Sequence, residues 1–214
     1  MKVRNLGTRP GAAASKADVE DLFDTVPIIV KQPKRFFIDE SEYHCYDARG
    51  RHVAHVYEEG LGGGMRALRF LAENTSGFAR KLVVNDAYRR PRLRIHKQWS
   101  LWTASTSIML ADGTPVGYID QDFRLFKAGF RLLDGWKRQV GTLNGDFWGF
   151  RFQIDDANGH EIAKVDRSVP DLGEFLTAAD SYVLWRRYPD LPEPLRTLVL
   201  AAGITVDLVL AEGK

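Results

Sequence analysis

Hydrophobic and polar residues alternate with a period of two along much of the chain from Pro27 onward. The runs PIIVKQ (27–32), KLVVNDA (81–87), RLRIHKQW (92–99) and WGFRFQI (148–154) are rich in β-branched and aromatic residues. They predict short strands. In 148–154, Trp148, Phe150, Phe152 and Ile154 fall on one face, while Arg151 and Gln153 fall on the other. A strand with one packed and one wet face reads this way.

The strands come in a repeated plan. YDARGRHVAHV (46–56), LADGTPVGYI (110–119) and IDDANGHEIAKV (154–165) each run from an apolar strand to Asp, Gly and a few polar residues. LDGWKRQVGTL (133–143) is a fourth copy, and NDAYRRPRLRI (85–95) resembles another such turn. The Asp–Gly element supplies the positive φ and the side-chain-to-backbone bonding of a hairpin turn. About ten to twelve strands fit between Pro27 and Arg187, joined as a meander. Each copy closes on an apolar residue followed by a small one, namely Ala54, Gly117, Gly141 or Ala163. The small residue admits two readings: close approach of a central element to the sheet, or a β-bulge between strands.

Two stretches break the pattern. GGGMRALRFLAENTSG (62–77) reads as a helix between glycine-rich ends. Leu191 to Ala211 reads as one apolar helix, with Asp190 as its cap and Glu193 three residues after it. Arg196 and Asp207 lie on nearly one stripe of that helix, together with Gly203. The rest of its surface is apolar, so it must be enclosed on most sides. Only 197–206 is free of charge, short of the ~20 predominantly apolar residues a membrane span needs. The expectation is a core helix with Leu198, Ala202 and Val206 almost fully buried, and no transmembrane span. A short helix is also predicted at Ala17–Phe23.

Composition adds bounds. The 214 residues fit one large domain, divided here as a flexible segment 1–21 and a barrel domain 22–214. A net charge of +2 is too small to imply nucleic acid on its own, and no nucleic-acid partner is expected. The single cysteine, Cys45, excludes a disulfide framework within the chain and favours a reducing compartment. The N-terminus has no apolar secretory core.

Charge is concentrated at 80–97, where Arg80, Lys81, Arg89, Arg90, Arg92, Arg94 and Lys97 stand against Asp86 alone. Alternation puts Arg92, Arg94 and His96 on one strand face and Leu93 and Ile95 on the other. A basic face beside a turn can hold the phosphate oxygens of a lipid headgroup. The candidate anion site is Arg89, Arg90, Arg92, Arg94 and Lys97; the alternative is a solvated outer face with no ligand. His44, Cys45, His52 and His55 cluster in the first hairpin, with Cys45 expected opposite His52. Alternation sends His44 and Cys45 to opposite faces, so at most two ligands converge and no metal is expected. The same dispersion weakens a Cys/His nucleophile. Gly62–Gly64 lacks the lysine of a phosphate loop. The five tryptophans read as core or barrel-surface residues, an exposed subset of which can anchor at a membrane interface. No catalytic residue and no cofactor is assigned, and the chain is read as not an enzyme.

The meander of Asp-x-x-Gly turns ending in PDLGEFLTAADSYVLWRRYPDLPEPLRTLVLAAGITVDLVLAE resembles the tubby-like superfamily. It is most similar to the bacterial scramblase-related and LURP-one-related proteins, from about Leu22 to Ala211. The resemblance implies a closed antiparallel barrel of about twelve strands around a central hydrophobic C-terminal helix. It also implies anionic phospholipid or phosphoinositide as a partner, and a cytoplasmic protein peripheral to the inner membrane surface. In the family's calcium segment this chain has 177–187, whose lone Asp180 makes no calcium loop. Three functions follow: a non-enzymatic binder of anionic headgroups, a true phospholipid scramblase, or a soluble protein-interaction domain with no lipid role.

Overall fold

The computed structural model describes residues 21–31, 42–59, 79–98, 105–122, 129–145, 151–166 and 181–210, with the side chains of 122 and 206–210 outside that set. Twelve strands are ordered as they follow in sequence: β1 (Ile28–Lys31), β2 (Glu42–Tyr46), β3 (His52–Glu58), β4 (Arg80–Asp86), β5 (Pro91–Lys97) and β6 (Ser105–Leu110). Then come β7 (Pro115–Asp122), β8 (Gly129–Asp134), β9 (Gln139–Gly145), β10 (Arg151–Asp156), β11 (Glu161–Asp166) and β12 (Ser181–Arg186). Each pairs antiparallel with its neighbours, and β1 pairs with both β2 and β12, closing the barrel. One helix, α1 (Leu195–Leu210), follows. The expected fold class is what forms. Closure leaves no edge strand open to aggregation.

Five hairpins share one turn. The first residue's N–H donates to the fifth residue's carbonyl in 47–51, 86–90, 110–114, 134–138 and 156–160. The fourth residue is left-handed: Gly50, Arg89, Gly113, Lys137 and Gly159, with φ of 73°, 59°, 90°, 62° and 81°. Three of these depart from the expected Asp–Gly pattern: 86–90 has no glycine, and Arg89 takes the left-handed position. In 134–138 the left-handed residue is Lys137, since Gly135 comes two positions too early. In 110–114 Leu110 takes the first position and Asp112 the third.

A register shift follows each turn, opposite Cys45/Tyr46, Val84/Asn85, Ile108/Met109, Leu132/Leu133 and Ile154/Asp155. Ala54, Leu93, Gly117, Gly141 and Ala163 are the first residues paired normally beyond it. Both readings of the small residues hold, in a clear order. A Cβ on Gly117 meets the Leu133 carbonyl oxygen first and Leu198 Cδ2 second, at 3.2 Å. On Gly141 it meets the Asp155 carbonyl oxygen at 2.5 Å and Leu195 Cδ1 at 3.4 Å. Strand crowding dominates, and helix packing adds to it.

The helix lies in the barrel interior. Leu198, Val199, Ala201, Ala202 and Ile204 are fully buried, and consecutive positions cover every side of a helix. Expected burial therefore holds for Leu198 and Ala202; the side chain of Val206 is outside the described set. Tyr182 Oη donates to the Ile204 carbonyl at 2.8 Å, fixing the helix to β12. The helix begins later than expected, at Leu195, and its cap differs. Glu193, not Asp190, supplies the carboxylate: it accepts from the Thr197 N–H at 3.3 Å and from Arg196 Nε at 2.9 Å. Among the described residues no helix is long and apolar enough to cross a membrane. The expected helix at 62–77 lies outside the described residues, as do 17–20 of the expected N-terminal helix. Asp21 to Asp24 form only a turn.

Candidate functional site

β5 carries the densest positive charge, and its pleat divides that charge. Arg92, Arg94 and His96 face outward, while Leu93, Ile95 and Lys97 face inward. Lys97 is 5% exposed. It also lies five residues from Arg92, ~17 Å along a strand. Lys97 therefore does not converge with Arg92 and Arg94 on one anion.

The outward arginines are matched by carboxylates from elsewhere in the chain. Arg94 Nη1 lies 2.9 Å from Glu59 Oε2. Arg92 Nη1 lies 3.0 Å from Asp21 and 3.5 Å from Asp86, and its guanidinium covers the Phe23 ring at 5.0 Å. Arg196 covers the same ring at 5.7 Å and pairs with Asp24 at 3.1 Å, so residues 21–24 are clamped between β5 and α1. Burial pushes the Asp21 carboxyl up, but the Phe23 amide and Arg92 outweigh it and hold it below the usual range. His96 is held down by burial and by the charges of Lys81 and Arg94.

Arg89 and Arg90 belong to a different place, the turn between β4 and β5. In an antiparallel meander the five hairpin turns follow alternate junctions, so all lie at one end of the barrel. The Asp side chain in four of them is folded back under the turn. Asp86 accepts from the amides of Tyr88 and Arg90 at 2.9 and 3.0 Å and from Arg90 Nε at 2.8 Å. Asp134 does the same with Trp136 and Arg138, and Asp47 with Arg49 and Arg51. Burial pushes the Asp86 carboxyl up, but the Arg90 guanidinium and the two amides together hold it below its ordinary value.

The aromatics of the turns point the other way. Trp136 is 80% exposed and Tyr88 43% exposed. Arg138 stacks on Trp136 and Arg90 on Tyr88, each at 5.0 Å. Arg49, Arg89 and Lys137 are exposed and hold no ion pair among the described residues. Tyr188 and Leu110 are exposed at the same end. Trp185, on the outer face of β12, is also partly exposed, whereas Trp99, Trp102 and Trp148 lie outside the described residues.

The first hairpin also differs from expectation. Its register shift places Tyr46, not Cys45, opposite His52, and pairs Cys45 with Ala54. Cys45 is fully buried, and burial pushes its thiol up to about 12, so it is no nucleophile. His52 and His55 are three apart and belong on opposite faces of a regular strand. The shift brings both outward, beside His44 and Glu42. Burial and the neighbouring imidazoles hold His44 and His52 below the usual range, while Glu42 opposes this at His44.

A family model described as Scramblase matches residues 34–212. The barrel is similar to a solved structure of an Arabidopsis thaliana protein, with a TM-score of 0.53 and 11% sequence identity, over 88% of this chain and 96% of that one. No curated protein sequence matches significantly.

Proposed function

The chain belongs to the Scramblase family, with the closed tubby-like barrel, and from that premise we propose that it is a non-enzymatic binder of anionic phospholipid headgroups at a membrane surface. The contact is the turn end of the barrel, not the outer face of β5 alone. One observation carries this: Trp136, 80% exposed, stands at a turn tip between Gly135 and the cations Lys137 and Arg138. Tyr88 repeats the arrangement with Arg89 and Arg90. Indole and phenol rings sit at the headgroup level, and nearby Lys and Arg each contribute about 1 kcal/mol at an anionic surface. The site residues proposed from sequence are thereby divided: Arg89 faces the membrane, Arg90 borders the contact while tied to Asp86, Arg92 and Arg94 hold the end of the barrel together, and Lys97 takes no part.

Sedimentation with vesicles tests this reading. Phosphatidylcholine vesicles with about one-third phosphatidylserine should carry the protein down at low salt and release it as the Debye length shrinks below ~10 Å. Absence of binding at low salt overturns the proposal. The family name favours a second reading, a true lipid scramblase. That reading needs an accessible apolar helix, and the burial of Leu198 to Ile204 supports a binder over a mover. Flipping of fluorescent lipid in reconstituted vesicles distinguishes the two.

A further inference from the structure

The geometry points to a divalent transition-metal site on the outer face of β2 and β3, formed by Glu42, His44 and His55 and independent of the lipid-binding surface. His44 and His55 are directly opposed across the two strands, and Glu42 lies two residues before His44 on the same face. Glu42 Oε1 is 2.9 Å from His55 Nε2 and 3.6 Å from His44 Nε2. One donor atom from each of the three lies within 4.8 Å of the others. Tetrahedral zinc with bonds of ~2.0–2.1 Å holds its donors about 3.3 Å apart. The three side chains are therefore near the required spacing before any ion arrives.

The framework is rigid for a surface site. β2 and β3 are each hydrogen-bonded on both sides, to β1 and β4 as well as to each other. Backbone freedom that a metal would otherwise have to freeze is already lost. The imidazoles of His44 and His55 are stacked, with ring centroids 4.9 Å apart and planes 20° from parallel, so a side-chain rotation of one ring is what brings both nitrogen lone pairs onto one ion. His52 completes the arrangement from behind: its Nε2 is 3.5 Å from His44 Nδ1. Metal-bound histidines commonly engage their second nitrogen in this way, which fixes ring and tautomer. His52 is thus a positioning residue, and its presence on this face depends on the register shift after the turn.

Donor chemistry selects the ion. Two imidazoles and one carboxylate suit zinc, nickel or copper rather than calcium or magnesium. The side chains are partly exposed, at 34% for His44, 30% for His55 and 44% for Glu42, leaving the fourth position to water. His55 Nε2, which donates to Glu42 in the metal-free protein, gives up that proton on binding.

Zinc chloride titrated into the chelator-treated full chain, followed calorimetrically and against a chromophoric indicator, tests the assignment. One equivalent should bind in about the micromolar range. His55→Gln and Glu42→Gln should each weaken binding at least tenfold. His52→Ala should weaken it about tenfold, and His52→Gln, whose amide oxygen accepts from His44 Nδ1, should recover most of the loss. Histidine ring resonances of the unaltered protein provide a readout that needs no variant. Those of His44 and His55 should shift with zinc, and those of His96 and His160 should not. No saturable binding, unchanged binding in the His44→Gln/His55→Gln double variant, or equal shifts at all five histidines overturns the site.

Discussion

Arg92 and Arg94 on β5, and Arg89 and Lys137 on the turns, have the same charge and opposite circumstances. The first two lie against Asp21, Asp86 and Glu59, and one of them also covers Phe23. The second two stand exposed with no ion pair among the described residues. A cation ion-paired to its own chain must break that pair before it takes a phosphate, while Arg89 gives up only water and Lys137 only water and its place over the Tyr118 ring at 5.1 Å. Charge density along a sequence therefore overstates the strand and understates the turns. The difference also separates two jobs, holding one end of the barrel together and presenting cations to a surface, and each can be removed without the other.

The largest effect belongs to Asp86, which serves both regions. Its carboxylate is 6% exposed and bonds two turn amides and Arg90, with Arg92 close behind. Asp86→Ala strands those amides and leaves a guanidinium uncompensated, so stability should fall by about 2–3 kcal/mol in a urea titration. Asp86→Asn keeps an oxygen for the amides and should lose roughly half as much. A loss below about 0.5 kcal/mol for Asp86→Ala would show that the buried carboxylate does not organise the turn.

Next comes neutralisation at the turn tips. Arg89→Gln with Lys137→Gln removes two surface charges, worth about 1 kcal/mol each at an anionic membrane. Vesicle binding should drop about tenfold to thirtyfold, while the urea midpoint stays within the range ordinary for surface substitutions. Arg89 and Lys137 occupy left-handed positions, which glutamine tolerates no worse than arginine or lysine. Arg92→Gln should do the reverse. Losing the pairs to Asp21 and Asp86 and the contact with Phe23 should cost about 1 kcal/mol of stability, with vesicle binding changed less than twofold. If Arg92→Gln instead abolishes vesicle binding and the tip variants do not, the contrast between the two regions is inverted.

What the sequence made legible follows from range. The pleat of β5 is a two-residue period, and the division of Arg92, Arg94 and His96 from Leu93 and Ile95 was readable from it. So was the enclosed helix, because apolar residues on every side demand a wall. The carboxylates that neutralise β5 were not readable, because Asp21 and Glu59 lie 71 and 35 residues away from the arginines they meet. The histidine face was hidden for another reason. Parity assigns His52 and His55 to opposite sides, and one register shift reverses that assignment. The same shift follows all five turns, and in four of them the repeat itself held the clue: an apolar residue and a small one follow side by side, as in the buried pair Val53 and Ala54.

Acid should sharpen the contrast with the smallest effect of the set. Asp47, Asp86 and Asp134 are held below the ordinary carboxylate range in the folded protein, despite burial that pushes each of them up. Their stabilisation is present above the unfolded value of about 4 and is lost only as pH falls through it toward the lower folded values. His44, His52 and His96 are also held down, chiefly by burial. For an imidazole this means the unfolded chain takes the proton first, so stability begins to decline as pH falls below about 6.5. Acid unfolding should therefore show a shallow loss beginning near pH 6.5 and a steep one below about pH 4. Replacing His52 with Gln should shrink the shallow step and leave the steep one in place. Vesicle binding should persist at pH 5.5, where the turn carboxylates still hold the tips and the added imidazolium charge only raises the attraction to anionic lipid. A loss of binding at that pH with the fold intact would place the contact on the histidine face rather than on the turns.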